Sequence, residues 1–230
     1  MCDTNPDRRP GASSTTLAPP MVRRGLRARL FAWGLAHNGD ADRRLYGVRK
    51  RALFAQAVPS SGQTVVEIGA GTGPNAAYLP AGTRWLVAEP NVHAHPHVQR
   101  AADEHGLDLT LLAGDAEHLP LADGSADAVV STLVLCSVPD PARALAEARR
   151  VLRPGGTLVF IEHVAAPDGS RLRWLQRVLR APWGVVADGC RPDRDTEAAL
   201  LAAGFARIEV ERFRAPLGPV APHIAGLAVR

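Results

Sequence analysis

Cysteine is scarce in this sequence, and no long apolar segment runs through it without interruption. The three cysteines, Cys2, Cys136 and Cys190, are far apart, so their spacing fits neither a disulfide framework nor a zinc site with close-paired ligands. The longest stretch without a charged residue, 68–83, contains glycine and proline and is too short to span a bilayer. Residues 1–20 hold prolines and a Ser/Thr cluster where a secretion signal has its apolar core. We therefore expect a cytoplasmic protein with no integral membrane contact.

Lysine is nearly absent, and acidic residues are few in the first part of the chain. Lys50 is the one lysine among the 27 basic residues. Residues 1–60 carry eleven basic and four acidic side chains, whereas residues 61–230 carry sixteen and nineteen. The net charge of +4 therefore comes from the N-terminal part, and the rest of the chain is slightly acidic. This distribution disfavours nucleic acid as a partner, because most of the chain has no basic excess.

Three regions differ in composition. Residues 1–20 are rich in proline and small polar residues and predict a flexible tail, because such a segment buries little apolar surface. Residues 21–58 predict an N-terminal helical cap made of two basic amphipathic helices, at 21–37 and 42–58. A solvated helical face is the preferred interpretation of their basic residues, and a membrane-surface or partner-binding role is the alternative. Residues 59–230 predict one large domain.

This large domain alternates short apolar runs with helical stretches, which is typical of βα units and a mainly parallel sheet. Too few residues separate the last two runs for a crossover helix, so these strands are expected to pair antiparallel. The predicted strands are 64–68, 84–88, 109–113, 126–131, 157–163, 206–213 and 224–229. The predicted helices between them are 74–79, 98–105, 142–152, 171–179 and 196–203. We therefore predict an α/β fold with a seven-stranded, mostly parallel sheet, an antiparallel last strand and helices on both faces.

A glycine-rich turn follows the first predicted strand. Gly69, Gly71 and Gly73 stand at alternate positions, and Pro74 comes next. Glycines allow a ligand to approach the backbone where a Cβ atom would block it, so this turn is typical of nucleotide binding. A dinucleotide fingerprint has its third glycine at the position of Pro74, and a proline at the first helical position argues against that fingerprint. Structural glycines without a ligand are the alternative.

Acidic residues follow the next two predicted strands. Glu89 ends the second strand, twenty residues beyond Gly69, where a carboxylate accepts hydrogen bonds from ribose hydroxyls. Asp115 follows the third strand and is a candidate acceptor for an adenine amino group. Ligands of an open parallel sheet bind outside the carboxyl ends of its strands. Gly71, Glu89 and Asp115 are therefore predicted to line one crevice.

Four motifs occur together: E-I-G-A-G-T-G at 67–73, the acid Glu89, Gly114-Asp115-Ala116, and L-R-P-G-G at 152–156. With these motifs, the chain from 64 to 230 resembles the class I S-adenosylmethionine-dependent methyltransferases. The resemblance implies a Rossmann-like sheet and S-adenosyl-L-methionine as the cofactor, with its ribose on Glu89. It implies these cofactor-binding residues: Glu67, Gly69, Ala70, Gly71, Gly73, Asn75, Glu89, Pro90, Asn91, Gly114, Asp115, Ala116, Glu117, Thr132 and Leu133.

Further segments narrow the resemblance: T-L-V-L-C-S-V at 132–138, E-H-V-A-A at 162–166, D-G-C at 188–190 and P-H-I at 222–224. They are similar to the methyltransferase-like-seven group, whose animal members are thiol S-methyltransferases, and to bacterial methyltransferases of small molecules or quinones. The resemblance implies a small apolar acceptor, with the sulfur of a thiol as the favoured acceptor atom. One alternative is O-, N- or C-methylation of an aromatic natural product or quinone. The other is a cofactor-binding protein without transfer activity.

Transfer to a thiol proceeds from the thiolate, so a neighbouring proton acceptor assists the reaction. His163, at the end of the fifth predicted strand, is the first candidate for this base, and a structural role is the alternative. The match to the subgroup adds Asp188, Cys190 and His223, which it implies flank the same crevice. Cys136 and Cys190 are interpreted as small buried packing residues.

Aromatic residues are candidates for the apolar walls of an acceptor pocket, and helix packing is the alternative for each of them. The candidates are Phe31, Trp33 and Tyr46 in the cap, and Trp174 and Trp183 between the fifth and sixth strands.

Three histidines at alternate positions resemble a metal-binding pattern. In an extended loop, His93, His95 and His97 would point the same way. No further ligand has a matching spacing, so a solvated loop is the preferred interpretation. We predict no metal ion.

Overall fold

A computed structural model of the protein describes residues 22–37 and 39–230. The predicted flexible tail, residues 1–20, lies outside the described residues. The first two helices are α1, Leu26–His37, and α2, Gly39–Ala57. The two helices predicted in this region are therefore present, with different starting points.

The segment before α1 is extended, so the predicted start of the first helix at residue 21 is wrong. Arg23 forms an isolated parallel bridge with Asn91, and its backbone N–H donates to the carbonyl of Pro90 at 2.7 Å. Gly25 has a φ of +97°, which lies outside the helical region. The chain cannot begin the helix earlier because these backbone groups pair with the loop that contains Pro90.

Seven strands form one sheet: β1 Thr64–Ile68, β2 Arg84–Ala88, β3 Asp108–Leu111, β4 Ala126–Thr132, β5 Leu152–His163, β6 Arg207–Arg214 and β7 Pro222–Val229. Their order across the sheet is β3-β2-β1-β4-β5-β7-β6. Strands β1 to β5 run parallel, and β7 lies antiparallel between β5 and β6. The predicted sheet is confirmed, including the antiparallel pairing of its last two strands.

Four more helices complete the fold: α3 His95–His105, α4 Pro141–Val151, α5 Arg171–Val186 and α6 Thr196–Ala202. Asp140, Ser170 and Asp195 cap the last three, because each side chain accepts a hydrogen bond from a backbone N–H of the first turn. The α5 helix continues through Pro182 and is longer than predicted. Among the described residues, no helix combines the length and the apolar character needed to cross a bilayer.

Two segments, one predicted as a helix and one predicted as a loop, differ from the structure. The helix predicted at 74–79 is a single 3-10 turn, Ala76–Tyr78. The loop predicted around the three histidines is wrong from His95 onward, because α3 begins there with Pro96 in its first turn. His95 and His97 are consequently on a helix and do not alternate along an extended chain.

Each face of the sheet has its own apolar core. Val66 packs in the cluster that contains Leu145 of α4, whereas Val65 packs in the cluster that contains Phe54 of α2 and Val98 of α3. Helices therefore cover both faces, as predicted. The strand order reverses between β1 and β4, and a crevice for ligands is expected outside the carboxyl ends of strands at such a point.

Candidate active site

A cavity of about 360 Å³ lies at the carboxyl ends of β1, β2, β4 and β5. This volume is within the range of sites for small ligands. The loops after the first four strands supply much of its wall, with residues 69–72, 74–75, 88–91, 115–117, 132–134 and 136–139. His163, Trp183, Asp188 and Cys190 line it as well.

The glycine loop has the conformation that its sequence predicts. Gly69 has a φ of +64°, and a Cβ atom added there would lie 2.7 Å from Cγ2 of Val134. Gly71 has a φ of +55°, and its N–H donates to Oε2 of Glu89 at 2.7 Å. Gly73 differs, because it is not on the cavity wall and its added Cβ would meet Cβ of Ala101 at 3.0 Å. Gly73 therefore packs closely against α3, and its contact with the cofactor stays a prediction.

Glu89 is held in place by backbone donors. One of its carboxylate oxygens accepts from Gly71, and the other accepts from the N–H of Asn91 at 2.8 Å. The Asn91 side chain donates to the carbonyl of Ala28 in α1. Burial raises the pKa of the Glu89 carboxyl, while the two backbone N–H groups oppose that rise. Since each oxygen retains a lone pair, the carboxylate can still accept hydrogen bonds from a ligand.

A buried polar cluster lies beneath the glycine loop. The Glu67 carboxylate accepts hydrogen bonds from Nδ2 of Asn75 at 2.8 Å and from Nε1 of Trp85 at 2.9 Å. Nδ2 of Asn75 also donates to Oγ1 of Thr132 at 3.0 Å. Burial raises the pKa of Glu67 to about 7 against these hydrogen bonds. Oδ1 of Asn75 is buried and has no hydrogen-bond partner among the described residues.

The loop after β3 places three of its four predicted residues on the cavity. Asp115, Ala116 and Glu117 line the wall, and Oδ1 of Asp115 accepts from the N–H of Glu117 at 2.9 Å. Gly114 is not on the wall. A Cβ atom added there would lie 2.5 Å from the carbonyl oxygen of His118, so this glycine permits a tight turn. The cofactor contact of Gly114 stays a prediction.

Thr132 and Leu133 are both on the cavity wall at the end of β4. Leu133 has a φ of +58°, which is uncommon for a residue with a branched side chain. Its N–H donates to the carbonyl of Ile161 at 2.8 Å, so pairing with β5 holds the unusual conformation. Strained backbone of this kind is concentrated at functional sites.

Folding brings two cysteines and a histidine together at the cavity. Nε2 of His163 and Sγ of Cys190 are 3.0 Å apart, and Nε1 of Trp183 donates to the same sulfur at 3.3 Å. The pKa of Cys190 is lowered, first by its hydrogen bond with the Cys136 thiol and then by His163. The same bond and burial raise the pKa of Cys136. The resemblance placed His163 and Cys190 at one crevice, but the preferred interpretation of both cysteines as packing residues missed their contacts, because nothing local in the sequence links the three positions.

The two other predicted catalytic residues occupy different surroundings. Asp188 lies on the cavity wall with a φ of +49°, and its carboxylate forms an ion pair with Arg23. His223 is buried behind the wall, where its two ring nitrogens lie 2.9 Å from the Tyr46 hydroxyl and 3.0 Å from the carbonyl of Ala221. Burial lowers the pKa of His223 to about 4. His223 therefore lies in the core and is not among the residues that line the cavity, and its catalytic role stays a prediction.

The apolar walls come from fewer aromatic residues than predicted. Phe31 and Trp183 line the cavity. Trp33 and Trp174 are exposed, and Tyr46 is buried against His223. Residues that the sequence did not single out also line the cavity: Arg23, Leu35, Asp42, Val134 and Val138.

The three alternate histidines do not form a common site in the described part of the chain. Nε2 of His95 lies 2.8 Å from the carbonyl oxygen of Glu89, which fixes the start of α3 beside the cavity. Among the described residues, the one cluster with metal-binding geometry is Cys136, His163 and Cys190.

Comparisons with known proteins agree with this site. The family described as "Methyltransferase domain" matches residues 66–160. Thiol S-methyltransferase TMT1B of Homo sapiens is 41% identical over 191 residues, which cover 79% of this chain and 78% of that protein. Thiol S-methyltransferase TMT1A of Homo sapiens is 39% identical over 192 residues, with the same coverage. A crystal structure of an S-adenosylmethionine-dependent methyltransferase from Thermotoga maritima, a possible histamine N-methyltransferase, has a TM-score of 0.63 at 24% identity, covering 88% of this chain and 98% of that one.

The chain belongs to the class I S-adenosylmethionine-dependent methyltransferases. Within that class its sequence is similar to the thiol S-methyltransferases TMT1A and TMT1B. It is an enzyme that transfers a methyl group from S-adenosylmethionine to a small molecule.

The cavity residues fit this cofactor. The glycine loop leaves space that side chains would fill, and the Glu89 carboxylate has lone pairs available for ribose hydroxyls. The buried, unpartnered Oδ1 of Asn75 is an acceptor suited to an ammonium group such as that of the methionine part. The assignments of individual residues to parts of the cofactor remain predictions.

Proposed function

We propose that this enzyme methylates the sulfur of a small apolar thiol. The observation that carries the proposal is the contact between His163 and Cys190 on the cavity wall, next to residues that bind the cofactor in our assignment. A proton acceptor at this point suits an acceptor group that must ionise before it reacts. The similarity to proteins named thiol S-methyltransferases supports the same acceptor class.

The cavity walls support an apolar acceptor. Phe31, Leu35, Leu133, Val138 and Trp183 all line the cavity. Side chains of this kind bind apolar groups and exclude water. A thiol with an alkyl or aryl substituent would bury that substituent against them and leave its sulfur for the polar cluster.

When bound, S-adenosylmethionine supplies a methyl group on a positively charged sulfur. The glycine loop and Glu89 orient the adenosyl part in this proposal, and the protein aligns the acceptor for an in-line displacement. The proton of the acceptor thiol passes to the pair formed by Nε2 of His163 and Sγ of Cys190, which already share one hydrogen bond. Asp188 acts as a positioning residue, because its carboxylate holds Arg23 across the cavity rather than facing the acceptor unpaired.

Residues 21–58 form a cap over the site in this proposal. Phe31 and Leu35 of α1 lie on the cavity wall, and Arg23 forms an ion pair with Asp188, which follows α5. The cap would therefore close over the two ligands and keep water away from the reacting sulfur. Among the described residues, Cys136 and Cys190 are free and buried, which suits a reducing cytoplasm, and we propose that location.

The acceptor atom is tested with purified protein, labelled S-adenosylmethionine and a matched panel of small molecules. Each thiol is paired with the phenol and the amine of the same carbon skeleton, together with reduced quinones. We expect mass spectrometry to find the methyl group on sulfur, with the phenols and amines unreacted. Transfer to oxygen, nitrogen or carbon alone would refute the thiol proposal. Cofactor binding without turnover on any member of the panel would support a non-catalytic binding protein instead.

A further inference from the structure

We infer that Cys136, His163 and Cys190 bind one soft divalent metal ion such as Zn²⁺, with one coordination position open to the cavity. The open position would accept the sulfur of a thiol, and this part of the inference rests on the proposed function. The three residues lie on different parts of the chain, after β4, at the end of β5 and after α5. Folding, and not sequence spacing, brings them together.

The distances suit a tetrahedral ion. The two Sγ atoms and the imidazole nitrogen all lie within 4.8 Å of one another, and all three side chains are buried. Zinc bonds of about 2.3 Å to sulfur and about 2.0 Å to nitrogen place tetrahedral ligand atoms roughly 3.5–3.8 Å apart. His163 and Cys190 are closer than this, at 3.0 Å, so small side-chain shifts would open the required space.

The backbone around the two cysteines is fixed. The N–H of Arg191 donates to the carbonyl of Cys136 at 3.0 Å, which ties the two cysteine segments to each other. The N–H of Cys190 donates to the carbonyl of Ala187 at 3.0 Å. Ligands carried by segments that are already joined lose little conformational freedom when an ion binds.

Donors around the sulfur atoms favour ligation as thiolates. Nε1 of Trp183 donates to Sγ of Cys190 at 3.3 Å, and the Ser137 hydroxyl lies 3.5 Å from Sγ of Cys136. Outer hydrogen bonds of this kind orient and stabilise metal ligands. Nδ1 of His163 is buried and has no partner in the described part of the chain. The absence of that support predicts an ion that exchanges and can be removed by a chelator, rather than a permanently bound one.

The position of the cluster indicates an open site rather than a structural one. Structural zinc ions have four protein ligands, whereas three ligands with an open position are found where the ion contacts a substrate. All three residues line the cavity, and soft thiolate ligands select soft ions that also bind a thiol sulfur. A thiol that binds the ion loses its proton, so the ion and the base function of His163 are mutually exclusive. This inference replaces the expectation of no metal that the spacing of the cysteines gave.

The test uses the full-length protein after treatment with a reductant and a chelator. Co²⁺ is added, because cobalt bound to thiolate has a charge-transfer absorption that does not depend on methyl transfer. We expect saturation near one equivalent, and displacement by Zn²⁺. Cys136→Ser and Cys190→Ser should each weaken cobalt binding by at least about tenfold and reduce the charge-transfer absorption. His163→Ala should also weaken cobalt binding, but the absorption should persist because both thiolate ligands remain. Cys2→Ser and His105→Ala, at an exposed histidine, are the matched controls.

Several outcomes would overturn the inference. They are a reduced parent protein without the thiolate absorption, or equal absorption in the parent and in both serine variants. Circular dichroism of each variant shows whether it is folded, and the two serine variants are independent of each other. Addition of a small thiol should change the cobalt ligand-field bands, and an unchanged spectrum would refute the open position. Thiol methylation without metal binding would refute only this inference, whereas metal binding with methylation of phenols alone would refute the proposed function.

Discussion

The cofactor side of the cavity, formed by residues 67–75, 89–91 and 115–117, differs from the acceptor side, formed by Cys136, His163, Trp183 and Cys190. On the cofactor side, the carboxylates of Glu67, Glu89 and Asp115 are already bonded to donors from the protein. On the acceptor side, the polar atoms bond chiefly to one another. The first side is therefore prepared for one ligand, and the second side has groups that can exchange partners.

This difference separates binding from chemistry. Fixed carboxylates orient a ligand without changing during turnover, and their substitution should affect affinity. Exchangeable thiol and imidazole groups can lose or gain a proton, and their substitution should affect turnover. His163→Ala and Glu89→Ala test this division directly, while Glu67→Gln and Arg23→Ala test how each side is built.

The largest effect is expected for His163→Ala in chelator-treated protein. Removal of a general base should lower kcat by about 10²–10⁴-fold near neutral pH, while cofactor affinity stays the same. The difference in kcat between the variant and the parent should become smaller above the pKa of the acceptor thiol, roughly 8.5, because a free thiolate needs no base. Turnover measured from pH 6 to pH 10 checks this, with His105→Ala as the control. Equal rates for variant and parent at every pH would remove His163 from the mechanism.

A second effect concerns stability and lies on the cofactor side. Burial raises the pKa of Glu67 from 4.5 to about 7, so the folded state disfavours the ionised form. Between these two values the unfolded chain ionises first, and the free energy of unfolding should fall as pH rises. The glutamine in Glu67→Gln is neutral at every pH. The substitution should therefore remove the contribution of Glu67 to the decrease in the free energy of unfolding, which is on the order of 3 kcal/mol between pH 4.5 and pH 7.

Urea unfolding of Glu67→Gln and of the parent at a series of pH values measures this difference. Burial also raises the pKa of Glu162, to about 6. Glu162 is present in both proteins, so its contribution to the pH dependence cancels when their free energies of unfolding are subtracted. A constant difference between the two proteins from pH 4.5 to pH 8 would mean that Glu67 ionises normally in the folded state.

Glu89→Ala should weaken cofactor binding by about 1.5–3 kcal/mol, as expected for hydrogen bonds to a charged group. The substitution also leaves the N–H groups of Gly71 and Asn91 without their acceptor. Calorimetry measures the loss directly, and kcat at saturating cofactor should change little. Glu104→Ala, an exposed acid on α3, is the control. An unchanged affinity in Glu89→Ala would refute the placement of the ribose.

The two sides also differ in how much the sequence reveals. Gly69, Gly71 and Glu89 lie within or directly after strands, so strand periodicity and spacing place them at one sheet edge. Cys136 and Cys190 meet only because α5 packs its C-terminal loop against the loop after β4. No local pattern records that contact. The sequence therefore predicted the sheet and placed the candidate cofactor residues at its edge, whereas it gave packing as the preferred role of both cysteines.

Some residues of the predicted site have surroundings that the sequence did not indicate, and the causes are local. Gly73 and Gly114 fit a ligand-binding pattern, yet both glycines serve close backbone packing. His223 belongs to a segment that resembles the thiol methyltransferase subgroup, but its position in β7 turns its ring toward Tyr46. Spacing identifies which residues lie near a sheet edge, whereas side-chain direction depends on the neighbours that pack there.

The smallest effect is expected where the cap contacts the acceptor side. Arg23 pairs with Asp188 and also donates to its carbonyl at 2.9 Å, with the two side chains 23% and 16% exposed. Arg23→Ala should weaken acceptor binding by about 1 kcal/mol or less, because partial exposure screens the pair. Arg43→Ala removes a pair with Asp40 whose side chains are 76% and 75% exposed, and it should change nothing measurable. If both substitutions have the same effect on KM for the acceptor, the contact between cap and site contributes only surface electrostatics.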